Sequence, residues 1–390
     1  MRIRFATGLL SVPRIALTLT TLAVLTVLAA SSAQAQAFKS LYSFTGSPKG
    51  ETPYGAVLIS DQGRVLYGTT SAGGEFGFGT VYALSKSGAT VLYSFTGQPD
   101  GSVPYAGLVM DASGILYGTT SAGGSYGYGT VFELNPTTRQ ETVLHSFYGQ
   151  PDGLTPLSGL VMDNSGNLYG TTLAGGPSND GTIYKVNIQT HQETLLYSFT
   201  GDPDGGWPFY GNLLMDASGN LYGTTLGGGT ENDGTVWEFS ATGEETVLYS
   251  FTGADGTQPE QSLAMDTEGN LYGTTEIGGI GGGVAFKVNI ETKTETVLYT
   301  FPNLADGELP TSGLVRDAQG NLYGTTAQST NGDGTVFELT GTKETVLHRF
   351  HGSDGELPFR SPLVLYDGML LGVTNLGGAD GDGTVFALKP

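Results

Sequence analysis

The pentapeptide LYGTT begins at Leu66 and returns at Leu116, Leu168, Leu221, Leu271 and Leu322, and a worn copy, LLGVT, begins at Leu370. Successive copies are 50, 52, 53, 50, 51 and 48 residues apart. Self-similarity at such a period marks an array of like supersecondary units, and it limits the possible folds more than any other feature here. Each unit holds four short runs, clearest in the second: YAGLVMD, ILYGTT, GTVFEL and ETVLHSF. They are rich in Val, Leu, Thr, Tyr and Phe and are parted by Gly, Asn, Asp and Pro, which reads as four strands. DASGN between the first two runs supplies Asx and glycine turn chemistry, and PDG after the fourth presets a turn with its proline. The glycine inside LYGTT weakens an isolated strand, so its recurrence predicts that another backbone or a ring lies close against it.

A four-stranded unit of this length fits a β-propeller blade; a β-helix coil is far shorter, and an α-solenoid repeat shows a 3.6 period. The phase of the repeat predicts closure. From Phe38 the chain opens on FKSLYSFTG, a lone fourth strand, and it ends on GTVFALKP, a third strand. Pairing the two completes a circle and ties down both ends. The expectation is an all-β, seven-bladed β-propeller of four-stranded antiparallel blades. It has 28 strands and no helix, in one domain over residues 36–390.

The combination of GLVMDxSGNLYGTTxxGG, GTVFEL and ETVLYSFTG resembles the GloVer tandem repeat of bacterial exported proteins. Members of that family share this repeat while carrying different surface anchors or none, and no anchor is read in this chain. The resemblance covers everything after the leader and implies an exported, propeller-like protein. It carries over no catalytic residues.

Arg2, Arg4 and Arg14 precede an apolar run over residues 15–30 and then SSAQAQA, whose small residues suit a signal peptidase. Residues 1–35 are therefore expected to be a secretory leader, too short to span a membrane, and the protein to be secreted or periplasmic. Lys and Arg number 16, three of them in that leader, against 37 Asp and Glu. Such a surface repels nucleic acid and anionic lipid. There is no cysteine, so neither disulfides nor thiolate metal sites are available. GxSxG, HExxH and Walker signatures are missing too.

In a propeller, the loop into the next blade and the loop between the second and third strands emerge on one face beside the channel. Candidates are the places on that face where the copies differ. Acid is one feature: Asp100, Asp152, Asp204, Asp255, Asp306 and Asp354 sit in the DG turns, with Glu308 and Glu356 nearby and Asp180, Asp233 and Asp333 in the other loop. Asp before Gly is ordinary turn chemistry. Only Asp380 and Asp382, in a fragment of a calcium loop, are read as a metal site; calcium is the one cofactor considered. The second feature is aromatic. Phe76, Phe78, Tyr126 and Tyr128 stand where blades three and four carry polar loop residues, and Tyr54, Tyr105, Trp207, Phe209 and Tyr210 begin nearby inner strands. Rings cover the apolar face of a pyranose while carboxylates accept its hydroxyls. The third is LHRFHGSDGELPFR, where His351 with Asp354 or Glu356 offers acid–base chemistry and Arg360 an anion anchor. Drift in a terminal repeat explains the same residues. His145 and His191 are weaker candidates.

The resulting expectation is a monomeric, non-catalytic propeller that binds an extracellular carbohydrate or protein through this loop face. The alternatives are a polysaccharide hydrolase or lyase using His351, Asp354, Glu356 and Arg360, and a protein–protein interaction scaffold.

Overall fold

Each LYGTT is the second strand of a blade, and every residue in it has a structural task. The computed structural model describes residues 37–60, 63–302, 305, 307–330 and 332–390. The expected leader and Asp306 lie outside them. Seven four-stranded antiparallel sheets follow one another in sequence order. Blade two shows the plan: a two-residue inner strand Val109–Met110, then Leu116–Thr120, Thr130–Leu134 and the outer strand Glu141–Ser146. The described residues form 28 strands and one 3-10 turn, Gly352–Asp354, where no helix was expected. In that turn Asp354 N–H donates to the His351 carbonyl at 3.1 Å.

The recurring glycine faces a ring. Gly68 lies opposite Tyr82, Gly223 opposite Trp237 and Gly372 opposite Phe386 on the third strands. A Cβ on Gly223 would lie 2.4 Å from the Trp237 ring. Glycine is required there because the indole fills the side-chain space. Each third-strand ring also meets a buried phenylalanine from the end of the preceding outer strand. Phe95 packs edge-on against Phe132 and Phe251 against Phe286, at centroid distances of 5.1 and 5.0 Å. Such pairs contribute about 0.5–1.5 kcal/mol each beyond their area, and they recur around the whole circle.

The two threonines finish the motif. Thr69 Oγ1 donates to the Ala106 carbonyl of the next blade at 2.7 Å, and Thr119 Oγ1 reaches Ser158 in the same way at 3.1 Å. The last threonine binds its own third strand, as in Thr120 with Thr130 at 2.8 Å. The tyrosine hydroxyl donates to the hairpin aspartate, Tyr117 to Asp111 at 3.1 Å, while Asp111 Oδ1 accepts the N–H groups of Ser113 and Ile115.

The ring closes where the phase of the repeat predicts. Phe38–Ser43 pairs with Thr384–Leu388 to supply the outer strand of blade seven. Phe44 then packs on Tyr82 of blade one at 5.1 Å, so the seam repeats the contact made between the other blades. The worn copy leaves one trace at the same seam, on the face opposite the inter-blade loops. Leu371 and Ala387 stand where blade two has Tyr117 and Glu133, and a cleft of about 580 Å³ opens there, rimmed by Lys39, Arg64, Lys86 and Tyr366. Among the described residues no helix is long and apolar enough to cross a membrane.

Candidate functional site

The face carrying the inter-blade loops is organised by a residue that precedes a proline in every blade. Val103, Trp207 and Leu357, like their four counterparts, adopt a left-handed backbone at φ of 56°, 58° and 50°. A non-glycine residue there costs about 1–3 kcal/mol and persists only where its surroundings fix it. Two hydrogen bonds do so. Val103 N–H donates to the Phe78 carbonyl of the preceding blade, and its own carbonyl accepts from Ser121 N–H. Trp207 is held identically by Asp180 and Leu226. Phe78, Tyr128, Asp180, Asp233, Asp333 and Asp382 therefore occupy one equivalent position, and blades one and two present rings where most others present carboxylates.

Those rings are not folded away. Phe76 is 52%, Phe78 42%, Tyr126 61% and Tyr128 43% exposed. Phe78 lies over Gly97, whose carbonyl accepts the N–H of Gly124 in the loop that carries Tyr126, so the loops of the two blades are contiguous. The structure adds Tyr148, 49% exposed and 6.0 Å from the Tyr126 ring. Its sequence signal was SFYG in place of SFTG. Trp207, 39% exposed, lies along Gly227 at blade four.

The other four rings form a different assembly, inside the mouth of the channel. Tyr54 packs edge-on against Tyr105 at 4.9 Å, Tyr105 against Tyr210 at 5.6 Å, and Tyr210 against Phe209 at 4.4 Å. Arg360 joins them, with its guanidinium 4.4 Å from the Tyr210 ring, 4.8 Å from Phe209 and 4.3 Å from Phe359. It closes a bidentate pair on Glu260, at 3.0 Å to each carboxylate oxygen from its terminal nitrogen, with Glu276 at 3.6 Å. Glu260 is fully buried. Burial and the Glu276 carboxyl push its pKa up, and Arg360 pulls it down; the upward causes win, to about 9. Two carboxyl groups holding one proton beside one guanidinium leave this buried cluster electrically neutral. The reach of Tyr210 and Arg360 has a simple origin. The segment from the proline to the inner strand is one residue longer in blades four and seven, Pro208 to Leu214 and Pro358 to Val364, than in blade two, Pro104 to Val109. A depression of about 270 Å³ lined by Thr52, Tyr54, Leu309, Leu357 and Phe359 lies at this mouth.

The residues grouped for acid–base chemistry divide between two places. Asp354 accepts from His348 Nε2 at 3.1 Å and from His351 N–H at 2.7 Å. His351 is exposed, and Glu356 is bridged through its backbone to Leu376. The partners of Arg360 are Glu260, Glu276 and the rings, so it stands apart from His351. The other DG aspartates do turn work: Asp100 accepts from Tyr93 Oη and Thr96 Oγ1, both at 2.6 Å. Asp380 is exposed and the Asp382 carboxylate lies beside Gly46. Among the described residues, the group of three metal-ligating side chains is not there but at His145, Asp152 and Glu193.

Among solved structures, the oligogalacturonate lyase of Vibrio parahaemolyticus superposes with a TM-score of 0.56, at 12% identity over 91% of this chain and 96% of that one. An oligogalacturonate lyase in complex with manganese gives 0.55 at 11% identity, over 91% and 96%. A candidate 6-phosphogluconolactonase from Bacteroides uniformis gives 0.52 at 16% identity, over 79% and 86%. At such identities the likeness shows the propeller fold alone. No curated protein matches the sequence. With seven closed blades built on one repeated strand motif, and a match to the Gloeobacter/Verrucomicrobia repeat over residues 26–216 and again over 202–386, the chain belongs to that repeat family.

Proposed function

We propose that this chain is an exported propeller that binds an extracellular polysaccharide through its loop face without transforming it. The observation that carries the reading is the exposure of Phe76, Phe78, Tyr126, Tyr128 and Tyr148 on contiguous loops of two blades, at positions where most other blades are polar. Exposed rings gathered on one patch of an otherwise acidic surface favour an interaction site, and the alternation of rings and carboxylates matches the two faces of a sugar. The leader read at residues 1–35 supports delivery outside the cytoplasm. Engagement of Asp354 with His348 and of Arg360 with Glu260 weighs against the hydrolase or lyase reading built on His351. The test is a variant with Phe76, Phe78, Tyr126 and Tyr128 all changed to alanine. It is expected to keep its thermal unfolding profile and lose retardation in native gels cast with the retained polysaccharide; undiminished retardation rejects the site.

A second reading rests on the channel mouth. Glu260 holds a proton at neutral pH beneath a shelf of rings, which is the condition of a general acid. Cleavage of a polymer that disappears in Glu260→Gln while the aromatic variant still cleaves would favour it over the binding role.

A further inference from the structure

At the seams between blades one arrangement repeats. A tyrosine near the end of an outer strand donates to the aspartate of the following turn, and a glutamate opening the next blade's outer strand lies beside them. Tyr93 reaches Asp100 at 2.6 Å, with Glu141 adjacent; Tyr197 reaches Asp204 at 2.6 Å, with Glu245 adjacent. Phenol, carboxylate and carboxyl make a latch with no place for a cation.

Between blades two and three the tyrosine is replaced by His145. Its Nε2 lies 3.0 Å from Oδ2 and 3.3 Å from Oδ1 of Asp152, whose side chain is wholly buried. Glu193 completes the group: one donor atom from each residue can be chosen so that all lie within 4.8 Å of one another. Glu193 Oε1 is itself buried and has no hydrogen-bond partner. The seam between blades six and seven is an internal comparison. His348 also replaces tyrosine there, 3.1 Å from Asp354, but the glutamate's place is taken by Phe38, whose ring stacks on the imidazole at 3.8 Å. Of the two substituted seams, one keeps both carboxyl groups and the other closes the third position with a ring.

We propose that His145, Asp152 and Glu193 bind one divalent transition-metal ion of the zinc or manganese class between blades two and three. An imidazole and two carboxylates are the donor set such ions take with three protein ligands and solvent in the remaining positions. Calcium asks for six to eight oxygens and is a poor match. Metal–ligand bonds of about 2.0–2.2 Å place neighbouring donors about 3–3.5 Å apart, the spacing His145 and Asp152 already have. Glu193 closes by a small side-chain rotation. In the metal-free chain Nε2 carries the proton it donates to Asp152. On binding, the imidazole changes tautomer, its one proton passing through solvent from Nε2 to Nδ1, so that the Nε2 lone pair faces the ion, and any proton on Glu193 leaves to solvent. Asp152 Oδ2 also accepts the backbone N–H of Tyr148 at 3.0 Å, so the ion is one hydrogen bond from a residue of the loop face and stiffens its support.

The test uses the protein without a histidine tag, stripped with EDTA and dialysed against Zn²⁺, Mn²⁺ or Ca²⁺ separately. The expected result is one Zn²⁺ or Mn²⁺ retained per chain, a higher melting temperature with the ion, and visible absorption when Co²⁺ is the probe. His145→Tyr restores the residue of the neighbouring seams and so preserves the fold; it is expected to weaken binding by about tenfold or more and to abolish the melting shift. His348→Tyr is expected to change neither. Retained stoichiometry and affinity in His145→Tyr, or no ion bound by the parent protein, overturns the proposal. Polysaccharide retention is measured separately, so that failure of the metal site and failure of the binding role are distinguished.

Discussion

Arg360 of blade seven and Glu260 of blade five close a bidentate ion pair across the mouth of the channel, although one hundred residues separate them in sequence. The pair holds Arg360 against the rings of Phe209, Tyr210 and Phe359. Its removal has a predictable asymmetry. Arg360→Met leaves the buried Glu260–Glu276 pair, with its one shared proton, carrying an unbalanced negative charge and is expected to cost about 3–5 kcal/mol. Glu260→Gln leaves Glu276 to balance Arg360 and is expected to cost about 1 kcal/mol. Urea unfolding of the two variants measures the difference; equal costs contradict the charge assignment.

Stability is expected to peak on the acid side of neutrality. Burial pushes the carboxyl of Glu141 up to about 8, those of Glu193, Glu245 and Glu295 to about 7, and that of Glu260 to about 9, from an ordinary value of 4.5. These groups hold their protons more tightly folded than unfolded, so folding takes up protons above pH 4.5 and stability falls as pH rises to about 9. Asp163, Asp216, Asp266 and Asp317 work in the opposite sense. Partial burial raises them, but hydrogen bonds such as those from Asn167 and Asn220 outweigh it and hold them below the usual 3.8. Their contribution is lost as pH drops through the acid range. Melting temperatures between pH 3 and pH 10 are expected to pass a maximum near pH 4–5, a window set by these opposed groups. A plateau from pH 5 to 9 would contradict the raised glutamates.

The glycine of LYGTT is expected to be the least replaceable residue of the motif. Gly223→Ala places a methyl carbon 2.4 Å from the ring of Trp237, which is wholly buried. Overpacking of this kind costs about 1–3 kcal/mol or more. Gly243→Ala, at an exposed turn with open space around it, keeps only the backbone penalty of its φ of 92°. Thermal unfolding of the two variants side by side separates steric from backbone cost.

The architecture was legible because the repeat spells it. Seven phased copies imply seven blades, a lone fourth strand at Phe38 implies closure, and a conserved place for glycine in a strand implies a ring against it. The site was only partly legible. Phe76, Phe78, Tyr126 and Tyr128 announced themselves as departures from the repeat, as Tyr148 also did, unread. Tyr54, Tyr105, Phe209, Tyr210 and Arg360 were each singled out, yet they were divided between two sites. Only the curvature of the ring shows that equivalent positions on distant blades converge on the channel, and only the extra residue after Pro208 and Pro358 shows which side chains reach its centre. His145 reads from the sequence only as a weaker candidate that replaces the tyrosine of LYSF, and its third partner, Glu193, belongs to the next blade.

Closure by the first strand is expected to be essential. Deleting residues 38–45 removes the partner of Thr384–Leu388 and the Phe44 ring that packs on Tyr82. The variant is expected to expose an unpaired strand edge and aggregate. Size-exclusion chromatography and thermal unfolding report the result, and a monodisperse protein that melts like its parent contradicts the role given to this strand.

Native electrophoresis of the protein through gels containing a panel of soluble polysaccharides, with polymer length measured afterwards, tests most directly whether the loop face binds without chemistry. Retardation by at least one polymer whose length is unchanged is the predicted result. Free migration through every acidic and neutral polymer, or a polymer shortened during the run, would contradict a propeller that binds without chemistry.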